Sequence, residues 1–368
     1  MKRSKNSVGN NNRRRARSSV VSAIDLFCGI GGLTRGLEKV GIKVNIGVDI
    51  DPACEYAYSA NNGAKFLLKS VADLSSADLL EGNDRSTFTL LAGCAPCQPF
   101  STYRQKSDSS DDRWNLLNQF GRLVEELEPD FITMENVPNL QKQAVFRKFV
   151  SRLKRQKFHV SYEVVNCSEF GVPQQRERLV LLASKLGPIE LLRSRHKRAP
   201  RTVRDAIAGL PPLKAGQVCR RDPLHQACDL TDINLKRIRA SRPGGTWRDW
   251  DRSLVAACHK RKSGQTYPGV YGRMVWDEPA PTMTTQFYGF GNGRFGHPSQ
   301  NRAISLREGA ILQGFPKSYK FIARGKPIFR KTIGRLIGNA IPVKLAETIG
   351  SSIIAHVRSH SKPKRTIR

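Results

Sequence analysis

The chain has 368 residues, 39% of them hydrophobic and 25% charged, a composition that suffices for one large core and a second domain. Its 62 lysines and arginines against 31 aspartates and glutamates give a formal net charge of +31, which favours a polyanionic partner. Nucleic acid is the first candidate and an anionic membrane surface the second, and no apolar run approaches the ~18 residues that a membrane span requires. The N-terminus lacks a hydrophobic signal core, and the eight cysteines lie scattered without a disulfide framework. We therefore expect reduced thiols in a cytoplasmic protein.

Both ends of the chain are basic and nearly free of apolar residues. Residues 1–19 carry seven basic side chains and no acidic ones, and residues 359–368 are similar. Such segments cannot bury a core, so disorder is expected. An arm that attracts nucleic acid and a solvated tail without a specific role both fit this composition.

The first ordered segment predicts the opening of a doubly wound α/β sheet. An apolar strand at 20–27 is followed by a glycine-rich turn at 28–32 (CGIGG) and a helix to about Val40. A second strand at 43–48 ends at Asp49, and Pro52 starts the next helix. Strand, glycine turn, helix, strand and acid together indicate a nucleotide-type cofactor site. The glycines do not spell GxGxxG, so S-adenosylmethionine fits better than a pyrophosphate-bearing dinucleotide; a tight turn without a ligand is the alternative.

A stiff loop with two cysteines follows the apolar strand at 88–92. Residues 94–101 (CAPCQPFS) cannot form a helix, and they lie where open α/β sheets bind ligands. Three interpretations are open at this point: Cys97 as a nucleophile, Cys94 and Cys97 as a redox or zinc pair, or simple buried cysteines. The polar stretch at 105–112 predicts a loop, and helical periodicity follows at 114–127.

Two further polar groups are predicted near the same sheet edge. The strand at 130–134 ends at Glu135, which is either a cap for the next helix or a candidate acid beside the cysteine. After a helix at 143–153 and a strand near 160–165, Arg176 and Arg178 precede a strand at 179–183. Two residues apart, they point the same way if extended, either into the site or into solvent.

From about Pro188 to Met283 the chain is basic, irregular and rich in proline and glycine. Basic residues interleaved with aromatic ones are typical of a surface that grips a phosphate backbone and reads base edges, whereas a solvated positive face is the alternative. The aromatic residues are Trp247, Trp250, Tyr267 and Tyr271. Four candidate zinc ligands occur at a spacing that matches no common module: Cys219, Cys228, Cys258 and His259. A capped helix at 304–316 and a last helix at 344–356 complete the chain.

Six of these segments, in this order, resemble the C5-cytosine methyltransferases of the bacterial DNA type. They are 25–32 (DLFCGIGG), 96–101 (PCQPFS), 135–137 (ENV), 174–178 (QQRER), 307–316 (REGAILQGFP) and 338–342 (GNAIP). The resemblance covers about residues 20–185 and 270–356. The basic region between them corresponds to the variable target-recognition domain of the family.

The resemblance implies an α/β fold, in which a doubly wound Rossmann-like sheet that binds S-adenosylmethionine is joined to a smaller, loop-rich recognition domain. The implied units are a basic tail (1–19), a catalytic domain (20–187, completed by 330–358), the target-recognition domain (188–329) and a second basic tail (359–368). Because the motif at 338–342 belongs to the cofactor site, the chain is expected to return and complete the first sheet.

The resemblance also implies a mechanism. The Cys97 thiolate adds to cytosine C6, and Glu135 supplies a proton or a strong hydrogen bond at N3. Arg178, with Arg176 nearby, binds the O2 edge. The base must leave the duplex stack for this chemistry, and the loop at 105–112 is expected to close over it.

The implied cofactor contacts lie around the glycine turn. Phe27 and Ile50 face the adenine, Asp49 takes the ribose hydroxyls, Asp73 takes the adenine amine, and Gly29 and Gly31 lie beneath the methionine. Further lining residues are Gly32, Pro96, Leu116, Asn339 and Ala340. Cys28 and Ile50 depart from what relatives often carry, and Ile50 in place of an aromatic residue is expected to weaken stacking. Trp114 stands where glycine is common in the family.

The expected partner is double-stranded DNA, with no membrane, no metal and a monomeric chain near the bacterial nucleoid; a restriction endonuclease acting on the same site is a further candidate. One alternative is an RNA cytosine methyltransferase, which the long basic insertion disfavours. A catalytically silent DNA-binding protein is the other alternative, and intact Cys97, Glu135 and cofactor glycines argue against it.

Overall fold

The computed structural model describes residues 20–80, 88–95, 115–193 and 199–360. Within these residues one seven-stranded sheet forms, in the order β3-β2-β1-β4-β5-β7-β6. Its strands are β1 (Val21–Leu26), β2 (Lys43–Asp49), β3 (Lys65–Leu68), β4 (Phe88–Gly93), β5 (Phe131–Asn136), β6 (His159–Asn166) and β7 (Glu177–Ser184). Strands β1 to β5 pair in parallel, and β7 lies antiparallel between β5 and β6. This is the α/β sheet that the sequence predicts.

The α-helices of the described residues include those that cover both faces of the sheet. In chain order the α-helices are α1 (Gly32–Lys39), α2 (Glu55–Ser59), α3 (Ser76–Leu80), α4 (Asn115–Leu127), α5 (Ala144–Arg155), α6 (Val203–Ile207), α7 (Asp232–Ala240), α8 (Leu306–Leu312), α9 (Arg330–Asn339) and α10 (Val343–His360). Every residue of β1 is buried, as expected for a strand between two helical layers. Helices α4 and α5 pack on one face of the sheet, and α1 and α10 pack on the other.

The C-terminal segment contributes the predicted last helix, which is α10 and lies against α1 and the sheet. We also expected the returning chain to complete the sheet, but among the described residues it adds no strand. The two helices approach closely at Gly36, where a Cβ atom would lie 2.3 Å from the Cβ of Ala346. Helix α9, which precedes α10, was not predicted from the sequence.

A second hydrophobic core is formed mainly by residues of the segment that runs from α6 to α9. Buried side chains of α6, α8 and α9 surround Met283, Phe287 and Phe295, and they pack against Ile30 and Cys54 of the sheet's loops. The remainder of this region, around α7, consists of short helical turns and isolated bridges. The predicted domain boundaries at 187, 329 and 358 stay predictions.

The aromatic residues of the basic region are largely internal, which corrects our expectation of a surface that reads bases. Trp247 and Trp250 are less than a tenth exposed. Trp247 stacks on His259 at 4.5 Å between ring centroids, and the Trp250 indole donates to Ser241 Oγ at 3.1 Å. Tyr267 alone of the four predicted aromatics is well exposed, at 46%. The two buried tryptophan rings therefore pack inside the basic region and stabilise its loops.

No group of three histidine, cysteine, aspartate or glutamate side chains in residues 20–80, 88–95, 115–193 and 199–360 is arranged to hold a metal ion. No helix in those same ranges is long and apolar enough to cross a bilayer.

Candidate active site

Three adjacent strands end side by side and bring the predicted catalytic groups to one edge. Leu26 of β1 pairs with Gly93 of β4, which in turn pairs with Met134 of β5, so the segments that follow these strands leave the sheet together. The Asn136 side chain donates to the Ala95 carbonyl at 2.9 Å and ties the start of the cysteine loop to β5. Ligands bind at this kind of edge in open α/β sheets.

Glu135 is the best-defined polar group at this edge. It is 4% exposed, and its Oε1 lies 2.9 Å from Nε of Arg178 at the beginning of β7. The Cys94 thiol donates to Glu135 Oε2 at 3.2 Å. The carboxyl group thus has an ion-pair contact without an aligned hydrogen bond on Oε1 and a hydrogen bond from a thiol on Oε2. Cys94 was predicted as a member of a redox or zinc pair or as a simple buried cysteine, and nothing in the sequence signalled this contact.

The structure separates Arg176 from Arg178. Arg176 is buried, and its Nη1 and Nη2 atoms each donate at 3.0 Å to a backbone carbonyl, those of Met283 and Gly338. Burial, reinforced by the neighbouring charge of Arg178, lowers the pKa of Arg176 to about 9, and Glu135 opposes that shift. Arg176 therefore remains a cation at neutral pH. A contact between Arg176 and substrate stays a prediction.

The glycine-rich turn lies beside this edge and contains three residues with positive φ: Phe27 (57°), Gly29 (53°) and Gly31 (81°). The Gly29 N–H donates to Asp49 Oδ2 at 2.8 Å, and a Cβ atom at Gly29 would have no neighbour within 4 Å among the described residues. The turn thus presents bare backbone to open space beside a carboxylate. Gly32 differs, because its Cβ would lie 2.3 Å from the Ile341 carbonyl oxygen. That glycine lets the returning chain pack, a role that sequence reasoning missed.

The other predicted cofactor residues surround this turn or lie outside the described part of the chain. Burial raises the pKa of Asp49, and the backbone N–H groups of Asp51 and Gly29 oppose the shift. Ile50 is 69% exposed, Asp73 and Asn339 are exposed, and Leu116 and Ala340 are half-buried. Arg335, in the middle of α9, pairs with Asp51 at 2.7 Å, which connects α9 to the segment that follows β2. Pro96, Cys97 and the predicted loop at 105–112 lie outside the described residues.

The chain matches the model of the C-5 cytosine-specific DNA methylase family over residues 21–355. It belongs to this family. The type II methylase M.HgiDII of Herpetosiphon aurantiacus is 50% identical over 338 residues, which are 91% of this chain and 95% of the relative. The type II methyltransferase M1.HphI of Haemophilus parahaemolyticus is 30% identical over 340 residues, which are 90% and 86% of the two chains.

Solved structures place this methyltransferase in the same fold. One described as a DNA modification methyltransferase encoded within a prophage (E. coli) matches with a TM-score of 0.70 at 21% identity, covering 92% of this chain and 99% of its own. The methyltransferase EhMeth of Entamoeba histolytica matches with a TM-score of 0.63 at 16% identity, covering 92% and 98%. The predicted Rossmann-like fold is confirmed.

The comparisons also confirm the predicted activity class. The protein is a DNA (cytosine-5)-methyltransferase, and its 50% identity to a type II methylase extends over most of both chains. The family and the fold are those of methyltransferases that depend on S-adenosylmethionine. The assignment of individual site residues stays a prediction.

We expect Cys94→Ser to keep methyl transfer within about threefold of the parent methyltransferase, because a hydroxyl can still donate to Glu135 Oε2. Cys94→Ala removes this donor, and we expect a loss of about tenfold or more, the scale of one hydrogen bond to a charged group. Transfer of a tritiated methyl group to DNA measures both. Equal losses in the two variants would show that the thiol itself is needed and would revive the paired-cysteine interpretation.

Proposed function

We propose that the chain transfers the methyl group of S-adenosylmethionine to C5 of cytosine in duplex DNA, with Cys97 as nucleophile. The observation that carries this proposal is the Glu135–Arg178 ion pair at the end of β5 and the start of β7. This ion pair lies at the sheet edge where the cysteine loop starts. The glycine-rich turn, in which the Gly29 N–H donates to Asp49, lies at the same edge. A buried carboxyl group that can donate a proton to N3, beside a fixed cation that can donate to O2, matches this edge of cytosine.

The residues around the glycine turn fit the cofactor. A Cβ atom at Gly29 would project into open space beside the turn. Because glycine has no Cβ, the methionine part of the cofactor can lie directly against the backbone there. Each Asp49 carboxylate oxygen accepts one backbone N–H and keeps a lone pair for a ribose hydroxyl. The exposed Ile50 side chain offers an apolar face for adenine. When bound, S-adenosylmethionine supplies an electrophilic methyl group on a sulfonium sulfur.

The remaining proposed cofactor residues keep the roles that the resemblance implies. Phe27 takes the second adenine face, Asp73 takes the adenine amine, and Gly31 lies under the methionine. Pro96, Leu116, Asn339 and Ala340 close the pocket. Gly32 acts at one remove, by allowing Ile341 to approach the turn.

In this proposal the protein activates the base through its own side chains. Cytosine C5 is a poor nucleophile, and addition of the Cys97 thiolate to C6 converts the ring into an enamine with electron density at C5. Negative charge that develops on the ring is relieved when Glu135, present as the neutral acid at this step, donates its proton to N3, while Arg178 contacts the carboxyl group and donates to O2. Once C5 carries the methyl group, water takes the C5 proton and the ring electrons expel the Cys97 thiolate. The base must be flipped from the duplex for these contacts to form.

The type II relative supports a further part of this proposal, namely that the chain protects a site cut by a companion restriction endonuclease. With DNA as its substrate, the protein would act beside the nucleoid in the cytoplasm. We further propose that it acts as a monomer. Bisulfite sequencing of DNA from cells that express the chain tests the proposal: we expect complete conversion resistance at one short sequence. Cells that express Cys97→Ala are the control. Unmodified cytosine throughout the DNA, with the protein folded and present, would refute the function.

Affinity for duplex DNA is expected to fall by about 10³-fold or more between 50 and 200 mM salt, the response of a protein with roughly six or more phosphate contacts. The reason is the net charge of +31, which releases condensed counterions on binding. Fluorescence anisotropy with a labelled duplex measures the slope. Binding of S-adenosylhomocysteine, which carries no phosphate, is the control and should respond weakly. A flat response for DNA would contradict binding dominated by phosphate contacts.

A further inference from the structure

The segment before β7 is joined to the chain that returns from the basic region. Gln174 and Ala280 form a parallel bridge, the Gln175 N–H donates to the Ala280 carbonyl at 2.8 Å, and the Ala280 N–H donates to the Pro173 carbonyl at 3.0 Å. At the surface, Thr282 Oγ1 donates to the Gln175 carbonyl at 2.7 Å. Residues 173–175 and 280–282 therefore move as one unit.

Two buried side chains of this segment hold the same backbone position. The fully buried Gln174 accepts the Met283 N–H at 2.8 Å through Oε1, and Arg176 Nη1 donates to the Met283 carbonyl at 3.0 Å. We call Gln174 and Arg176 the Met283 clamp. Both backbone polar groups of Met283 are thereby bound by side chains of the segment just before β7, and these hydrogen bonds are costly to break because the groups are buried.

The Met283 clamp also reaches the predicted cofactor side. Arg176 Nη2 donates to the Gly338 carbonyl at 3.0 Å, and Gln174 Nε2 donates to Gln313 Oε1 at 2.7 Å. Gln313 in turn donates to the Ala340 carbonyl at 2.5 Å. The carbonyls on both sides of Asn339 are therefore bonded to the clamp, directly or through one side chain. A displacement of Met283 must be transmitted to this turn or must break these bonds.

The clamp reaches the proposed catalytic pair by a shorter route. Arg178, two residues after Arg176 on the same extended stretch, holds Glu135 at 2.9 Å. Arg176 Nε is buried and has no hydrogen-bond acceptor among residues 20–80, 88–95, 115–193 and 199–360. An unmet donor is costly, so a small shift that gave it an acceptor would be favoured. The cluster thus has a reason to adopt a second arrangement.

We propose that Gln174 and Arg176 are positioning residues that couple DNA engagement by the basic region to the cofactor turn at 338–340. This inference rests on the proposed function, because it requires that the chain bind both duplex DNA and S-adenosylmethionine. Coupling through linked hydrogen bonds is reciprocal: duplex DNA strengthens cofactor binding by the same factor by which the cofactor strengthens DNA binding. The clamp sets the size of that factor.

The test measures the Kd of S-adenosylhomocysteine by calorimetry, with and without a saturating duplex that carries the site found by sequencing. In the parent protein we expect DNA to tighten this binding at least about fivefold. Arg176→Lys reaches one carbonyl instead of two, and Gln174→Glu loses the donor to Gln313 Oε1 and to the Leu312 carbonyl. In both variants we expect DNA to change the Kd by less than about twofold. Thr282→Val, at the surface, is a milder third variant, with an expected intermediate factor.

The control is Arg273→Lys. Arg273 is also a buried arginine, but its acceptors lie within the basic region and the stretch just after it: the backbone carbonyls of Ile238, Ser241, His297 and Gln300 and the side chain of Asn301. We expect this variant to unfold at a lower temperature while DNA still tightens the cofactor analogue fivefold. Amide hydrogen exchange at residues 338–340 provides a second readout. DNA should slow it in the parent protein and leave it unchanged in Arg176→Lys.

The outcomes separate the two proposals. Parent protein that binds both probes with no mutual effect, or clamp variants that bind more weakly but keep the fivefold factor, would overturn the coupling and leave the proposed function standing. Parent protein that binds neither probe would overturn the proposed function, and the coupling with it. Loss of the factor in Arg273→Lys as well would show that general stability, rather than the clamp, sets it.

Discussion

Cys97→Ser is expected to lower the rate of methyl transfer at least about 10³-fold while leaving the affinity for duplex DNA within about threefold. The hydroxyl of serine has a far higher pKa than a thiol and is a weak nucleophile without a dedicated base, so addition to C6 fails. A 10³-fold loss corresponds to about 4 kcal/mol of activation free energy. Tritiated methyl transfer and fluorescence anisotropy on the same protein batch measure the two quantities.

The control for this variant is the same substitution three residues earlier. Cys94→Ser changes one sulfur to oxygen in the same loop, yet it should keep activity, because Cys94 contacts Glu135 and no substrate carbon. An oligonucleotide with 5-fluorocytosine at the target gives an independent test, since the fluorine blocks removal of the C5 substituent. With the methyl donor present, the parent chain should form an adduct that resists denaturant and maps to residue 97. Turnover by Cys97→Ser at the parent rate would rule out the nucleophile.

The sheet was predictable because its signals are local. Short apolar runs bounded by glycine, proline or acidic residues predict buried strands, and five parallel strands place their following segments at one edge. Glu135 was therefore expected at that edge, and it lies there at the end of β5. Its neighbours were less accessible to prediction. The contact between Cys94 and Glu135, which are 41 residues apart in the chain, depends on the register between β4 and β5.

Arg176 and Arg178 show where the reasoning about alternation fails. Two residues apart on a free strand, they would share one environment. Here Gln174 forms a bridge with Ala280 before β7 begins at Glu177, so the approach to the strand already belongs to another interface. Arg176 meets carbonyls from residues more than 100 positions away, and only Arg178 reaches Glu135.

Trp247 and Trp250 were misinterpreted for a similar reason. Tryptophan among basic residues has the same sequence pattern whether the ring faces DNA or the inside of a loop. What decides is a stacking partner, and Trp247 finds it in His259, whose ring lies nearly parallel at 9°. Gly32 is a comparable case, because its need for a missing side chain comes from Ile341, some 300 residues further on. Such constraints are set by tertiary packing.

Arg302→Met is expected to lower the free energy of unfolding by about 3–5 kcal/mol, because it leaves a buried carboxylate without its cation. Arg302 is fully buried, and its two terminal nitrogens bind Glu308 at 2.7 and 2.8 Å. Burial by itself raises the pKa of Glu308, but the hydrogen bonds and charge of Arg302 outweigh it and hold that pKa below its usual value. Glu308 also closes the capping box of Ser305 that starts α8. Urea unfolding followed by circular dichroism measures the loss.

The pH dependence identifies the unpaired charge as the cause. Without Arg302, burial leaves the folded-state pKa of Glu308 above its unfolded value, so the penalty is full above that folded-state pKa and shrinks as pH falls through it. The nearby His297, whose pKa burial lowers to about 4 in the parent chain, can take up the proton instead, with the same direction of effect. We therefore expect the variant to lie closer to the parent at pH 5 than at pH 8.

Two further variants separate charge from packing. Arg302→Met combined with Glu308→Gln removes both charges and keeps an acceptor for the Ser305 N–H, so it should recover a large part of the lost stability. Arg204→Met removes an equally well-aligned pair, with Asp277 at 2.7 and 2.9 Å, from an exposed position, and it should change stability little because water solvates the remaining carboxylate. If the double variant were no more stable than Arg302→Met at pH 8, the loss would come from the missing guanidinium contacts to Gln300 and Ala303 rather than from the stranded charge.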